Sequence, residues 1–203
     1  MSSSTNLMEF GHIRRIQDTR FPYEVAVILP GEYFVSQEPK VVYTVLGSCI
    51  SVCLRDPVIN VGGMNHFMLA APASNSALDR WVNSGRYGSF AMEMLINGIV
   101  KYGGKKERLE AKVFGGGKIY DSTNNIGAKN AAWALDYLEN EGVALLKADV
   151  GDLCPRKIYF FTDSGKVLMK KLDRLDSKSI ENEEKQYQSK LEQVPVKSDV
   201  TLF

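Results

Sequence analysis

The chain predicts an α+β fold: an α/β sandwich of largely antiparallel or mixed sheets with two main helices outside. Three observations carry this. About eight to ten short apolar, β-branched runs are broken by Gly, Pro, Asn and Asp. Several of these runs close on one another as hairpins. Only two segments keep a helical period, and no internal repeat is present.

The first 22 residues are polar, with Arg14, Arg15 and Arg20 as a basic cluster, and predict a flexible arm holding His12. Tyr23–Leu29, bounded by Pro22 and Pro30, and Glu32–Ser36, after the turn signal Pro30-Gly31, predict short strands. Val41–Leu46 predicts a buried strand ending at Gly47-Ser48. Ile50–Leu54 and Met64–Leu69 predict a hairpin around a loop set by Asp56-Pro57, Asn60, Gly62 and Gly63. Residues 70–83 read as a surface loop carrying Trp81. Tyr87, Phe90, Met94, Leu95 and Ile99 then give a helix over Ser84–Tyr102, capped by Asn83 or Ser84 and stopped at Gly103-Gly104. Leu109–Phe114 predicts a strand that runs into Gly115-Gly116-Gly117. Asn124 or Asn125 caps a second helix over Ile126–Asn140, with Gly142 as its stop. Val143–Val150 is a strand, and Lys157–Phe161 and Lys166–Leu172 form a terminal hairpin around Asp163-Ser164-Gly165. From Asp173 onward Glu, Lys, Ser and Gln dominate, so residues 173–203 predict a solvated, disordered tail with at most a transient helix around 179–192. Residues 23–172 are therefore the single domain.

Bulk properties exclude several classes. Of 203 residues, 44% are hydrophobic and 24% charged, which is ordinary for a globular chain. A net charge of +1 supplies no field for nucleic acid or an anionic membrane. The longest apolar run falls short of a membrane span. Three cysteines and an opening stretch without a signal-peptide pattern predict a reducing, cytoplasmic setting.

Chemistry concentrates in Thr44–Leu69. This stretch holds Cys49, Cys53 and His66, one of only two histidines. If residues 50–55 pair with 63–69, Cys49 and His66 lie within a few rungs, provided the register puts them on one face. A neighbouring imidazole favours the nucleophilic thiolate. Gly47 and Ser48 let the backbone turn sharply before Cys49, and their N–H groups could hold an oxyanion. On pattern alone, packing is favoured over chemistry, because free cysteines are commonly buried. Cys53 reads as core and Cys154 as a loop residue. The sequence has no CxxC pair and no further ligands at a spacing that suits zinc, and no cofactor is expected. Gly115–Gly117 with Lys118 resembles half a phosphate loop but lacks the Walker spacing. The bland reading is a turn after a strand, which can still line a groove.

The motifs together resemble a known family. LGSCISVCLRDP followed by GGMNHFML is similar to the signature of CheD, the chemoreceptor glutamine deamidases. KVFGGGKIY, NIGAKN and the Asp149–Gly151 and Arg156–Phe160 segments resemble later family motifs in the same order. The likeness spans roughly residues 27–172. It implies a fold similar to bacterial toxin deamidase catalytic domains, and an enzyme that converts receptor glutamines to glutamate through a Cys–His thioester mechanism. Cys49 falls on the family cysteine and His66 on its histidine. Thr44 is the candidate third member, although many relatives carry the threonine one place earlier, where this chain has Tyr43. Gly47 and Ser48 would supply oxyanion donors, and Gly115, Gly116 and Gly117 part of the substrate groove. The implied partners are the helical cytoplasmic domains of methyl-accepting chemotaxis receptors and a CheC-like phosphatase. The alternative reading is a non-catalytic module that regulates such a phosphatase.

Overall fold

A computed structural model describes residues 9–69, 77–118, 125–173 and 177–193. Among these residues ten strands form two five-stranded sheets, and three α-helices of four or more turns accompany them. The first sheet contains β1 (Arg14–Ile16), β2 (Val25–Val27), β4 (Val41–Leu46), β9 (Arg156–Phe161) and β10 (Val167–Lys171), in that spatial order. The second contains β3 (Tyr33–Ser36), β6 (Val61–Asn65), β5 (Ile50–Asp56), β7 (Glu110–Gly115) and β8 (Ala144–Val150). Each sheet holds one parallel pair, β2 with β4 and β7 with β8, among antiparallel neighbours. The expected mixed α+β architecture is what the chain adopts.

The sheets meet closely. A Cβ on Gly62 of β6 would stand 2.5 Å from the Thr162 carbonyl, so only glycine admits that approach. Leu46, Ile158 and Phe160 of the first sheet share a core with Ile50, Val52, Leu54 and Met64 of the second. The connection from β4 to β5, residues 47–49, passes from one sheet to the other. Cys49 sits at this crossing.

Helix α1 (Ala77–Lys101) begins earlier than expected and takes in residues 77–83 of the anticipated loop. Residues 70–76 of the anticipated loop lie outside the described residues. Its inward face also differs from the expected stripe. Met92, Leu95, Ile96 and Ile99 are buried, whereas Phe90 is 61% exposed. Gly88 and Gly98 decide this, since a Cβ at either would strike Trp133 or Val35 at 2.6 and 2.9 Å. Close approach fixes the face that hydrophobicity alone left open. Gly103, at φ +89°, ends the helix as anticipated. Helix α2 (Ile126–Asn140) starts where the Asn125 side chain accepts from the Ala128 N–H at 3.2 Å.

The two ends of the chain are more structured than their composition suggests. β1 pairs antiparallel with β2, and Phe10 and Ile13 are buried, Phe10 against Tyr33 and Phe34. Near the other end, Ser177–Gln193 forms helix α3. Composition makes it polar overall, but Ile180 and Glu184 are buried and Tyr187 packs on the core.

Candidate functional site

Strand alternation decides which residue of β4 faces the site. Val42, Thr44 and Leu46 are buried, whereas Tyr43 and Val45 are half-buried on the opposite face. Tyr43 packs against Tyr159, its cross-strand partner, with ring centroids 4.7 Å apart and the rings tilted by 32°. Thr44 points the other way. Its hydroxyl donates to the Ile28 carbonyl at 2.8 Å, and its oxygen lies 2.8 Å from His66 Nδ1. A hydroxyl has one proton, and a carbonyl can only accept it. Nδ1 must therefore be the donor toward Thr44, which leaves the lone pair on Nε2. That nitrogen is buried and finds no hydrogen-bond partner among the described residues.

The hairpin register brings the thiol to this ring. Cys53 pairs with Met64, and Ile50 bridges Phe67. His66 thus stands opposite Ser51, two positions from Cys49, and both side chains fall on one face. The His66 main chain is pinned as well: its carbonyl accepts from the Gly31 N–H at 2.7 Å and its N–H donates to Glu32 at 2.9 Å.

The crossing loop presents three N–H groups in one direction because its three carbonyls are held in the other. The Gly117 N–H donates to Gly47 O at 2.8 Å, and the Gly116 N–H to Cys49 O at 2.8 Å. The Asn130 side-chain amide donates to Ser48 O at 2.8 Å, while its oxygen accepts from the Leu69 N–H at 3.0 Å. Asn130 thereby ties the cysteine loop to the segment after β6 that carries the histidine. Gly115 sits at φ +117°, and a Cβ there would lie 2.1 Å from Cys49 O. The three glycines are buried; they pack against the Gly47 and Cys49 backbone, Gly127 and Ala131 of α2, and the loop at Gly151 and Cys154. Arg156, fully buried, donates to Asp149 Oδ1 at 2.7 Å and also to the Gly151 carbonyl, steadying a loop whose Gly151 N–H reaches Gly115 O.

The freed N–H groups converge on a carboxylate. Glu184 of α3 accepts from Gly47 N at 2.9 Å and Cys49 N at 3.1 Å through Oε1. Its Oε2 accepts from Ser48 N at 2.9 Å and from the Ser48 hydroxyl at 2.6 Å. A sulfur, a ring nitrogen and a carboxylate oxygen from Cys49, His66 and Glu184 all lie within 4.8 Å of one another. These three side chains could each offer a metal one ligand atom. The four donors aimed at Glu184 mark the cradle as built for an anion.

Electrostatics follows from this closure. Burial, then the Glu184 charge and its hydrogen bond, push the Cys49 thiol well above its ordinary value. Burial alone lowers His66 to about 3. With Glu184 seated, the pair is a neutral thiol beside a neutral imidazole. Cys53 is buried four residues along β5, and burial raises its thiol. Cys154 is half-buried in the loop before β9.

Sequence reasoning missed Glu184 and Asn130. Asn130 lay in the NIGAKN motif, read there only as a helix start. Glu184 had one signal: Ile180 and Tyr187, four before and three after it, mark one face of an otherwise polar helix.

Comparison with known proteins agrees with the motif reading. The family described as "CheD chemotactic sensory transduction" matches residues 68–171. The chain is 47% identical over 189 residues to the "Probable chemoreceptor glutamine deamidase CheD" of Herminiimonas arsenicoxydans, covering 92% of each chain. It is 45% identical to the like-named protein of Hydrogenovibrio crunogenus, over 87% of this chain and 92% of that one. A "Probable chemoreceptor glutamine deamidase CheD 1" of Shewanella oneidensis is 44% identical over 93% and 92%.

Proposed function

The chain belongs to the CheD family, and on that footing we propose that it is a protein-glutamine deamidase acting on chemoreceptors, with Cys49 as nucleophile. One observation carries the reading. A thiol, an imidazole nitrogen with a free lone pair and three convergent N–H donors occupy one buried point.

The chemistry runs as follows once a glutamine side chain replaces Glu184. His66 Nε2 takes the Cys49 proton, and the sulfur attacks the carboxamide carbon. The carbonyl oxygen becomes an oxyanion between the N–H groups of Gly47, Ser48 and Cys49. Collapse breaks the C–N bond, and Nε2–H gives its proton to the departing ammonia. Water enters, loses a proton to Nε2 and cleaves the thioester, leaving glutamate and the thiol. Thr44 keeps the proton on Nδ1 throughout, so Nε2 always faces the reaction. It is a positioning residue, because its hydroxyl is committed to Ile28 and the ring. No cofactor is required. The substrate is a glutamine on the helical cytoplasmic part of a receptor, which puts the protein in the cytoplasm; no described helix is long and apolar enough to cross a membrane.

The test is incubation with a receptor cytoplasmic fragment, reading each glutamine by mass spectrometry. Conversion to glutamate is expected, and Cys49→Ala should slow it by at least about 10³-fold. Conversion that persists in Cys49→Ala removes the nucleophile and with it the mechanism.

A further inference from the structure

We infer that helix α3 is a built-in product mimic: it seats Glu184 where the glutamate made from a receptor glutamine would stand, and so closes the site until a substrate helix displaces it. The inference rests on the deamidase reading for the word "product", but the closure itself rests on geometry alone.

Three features argue for mimicry rather than ordinary docking. First, Glu184 is nearly fully buried, yet its oxygens meet only neutral donors, and no cation lies within ion-pair distance of them among the described residues. Buried carboxylates held as structure are ordinarily paired with a cation. Second, both oxygens face backbone N–H groups. A glutamine in the same pose would turn its NH₂ against Ser48 N–H or, flipped, against Gly47 and Cys49 N–H. The cradle in this register prefers the reaction's carboxylate product to its amide substrate. Third, the carboxylate is presented by a helix, the form a receptor glutamine is proposed to take.

The contacts of α3 also state what a displacing helix must offer. Ile180, four residues before Glu184, is buried. Tyr187, three after, lies over Gly31 and bonds the Tyr87 hydroxyl of α1. Gly31 sits at φ +90°, and a Cβ there would stand 2.7 Å from the Tyr187 hydroxyl. The dock therefore accepts an apolar side chain at −4 and a large side chain at +3 from the target glutamine. While α3 is seated, the Glu184 charge opposes thiolate formation on Cys49, so closure suppresses reactivity as well as access.

The experiment follows alkylation of Cys49 by iodoacetamide in the full chain, mapped by peptide mass spectrometry with Cys53 and Cys154 as internal references. Glu184→Ala is expected to raise the Cys49 rate at least tenfold and leave the other two unchanged. An unchanged Cys49 rate overturns the closure. The isosteric Glu184→Gln adds a second readout that a mere plug would not give. Residue 184 is expected to be found as glutamate, and to stay glutamine in Cys49→Ala/Glu184→Gln. Glutamine retained at 184 in a chain that deamidates a receptor fragment overturns the product-like register. A chain whose Cys49 is uncovered by Glu184→Ala, but which converts neither residue 184 nor the receptor, overturns the deamidase reading and leaves the closure standing.

Discussion

Asp56 and Glu184 are both carboxylates buried to 1% exposure or less, and they are held in opposite ways. Asp56 closes the β5–β6 loop. It accepts from Val58 N at 3.0 Å, from Lys105 N at 2.9 Å and from Arg108 Nε at 2.9 Å, so a cation shares its charge. Glu184 has backbone N–H groups and a hydroxyl, and beside it a thiol and an uncharged ring. Asp56 belongs to the framework, because its partners come from segments that cannot leave without unfolding. Glu184 is a ligand that happens to be covalently attached. Its cradle is complete without it, and its helix lies beyond the last strand. A carboxylate neutralised by its own framework marks structure, and one held only by neutral, converging donors marks a binding site.

The strongest way to break this comparison is stability. Asp56→Ala leaves Arg108 unpaired and two N–H groups without acceptors, and is expected to cost about 3 kcal/mol in global unfolding, the low end for a broken buried pair because Arg108 is partly exposed. Glu184→Ala should cost less than about 1 kcal/mol, because undocking α3 is a local event that lets water reach the N–H groups. Urea midpoints read both. Equal losses would make Glu184 a framework residue and erase the distinction.

A second, smaller effect concerns why the ring beside the cradle is not a cation. The Thr44 hydroxyl accepts from Nδ1 but is neutral and already committed to Ile28, so it fixes the tautomer without charging the ring. Thr44→Val removes that acceptor at nearly constant volume. The kcat for receptor deamidation is expected to fall about 10- to 100-fold, at or below the low end of a general base's whole contribution because Thr44 only positions the base, with KM little changed. An unchanged kcat would take Thr44 out of the site; a fall confined to KM would make its role one of packing.

Much of this was legible in the sequence, and what escaped is informative. The limits of β4 over Val41–Leu46, the Asn125 cap and the Gly103 stop follow from local rules of apolar runs and turn residues. The pairing of Cys49 with His66 follows from a hairpin read at short range. The alternation of VVYTVL puts Thr44 and Tyr43 on opposite faces, but both faces are apolar in sequence, so the choice of Thr44 came from the burial of Val42, Thr44 and Leu46 in the fold. What escaped is what acts through space across long separations. The face of α1 was set by Gly88 and Gly98 against distant side chains, not by its own apolar count. Asn130 clamps loops over 60 residues earlier. Glu184 reaches back more than 130 residues from a stretch whose composition reads as solvent-facing. Composition averages over a helix, and a single buried face on a polar helix vanishes in that average.

The smallest effects are those of pH, and the two carboxylates should show them in different observables. Burial works to raise the Asp56 pKa, but the Lys105 and Val58 N–H groups and Arg108 outweigh it and hold it below the ordinary 3.8. A depressed folded value means that its stabilisation is present above 3.8 and fades as pH falls through the folded value. Asp56 thus contributes acid sensitivity to unfolding and nothing near neutrality. Glu184 acts on reactivity instead. Burial, the Glu184 charge and its hydrogen bond all raise the Cys49 thiol, which leaves less thiolate at any given pH. Removing the carboxylate deletes the second and third causes together and, once α3 lifts, part of the first. The alkylation profile of Cys49 in Glu184→Ala should therefore inflect at lower pH than in the unaltered chain, whereas Asp56→Asn leaves that profile in place. An inflection that stays put in Glu184→Ala would mean that burial alone sets the thiol, and that Glu184 closes the site by bulk without its charge.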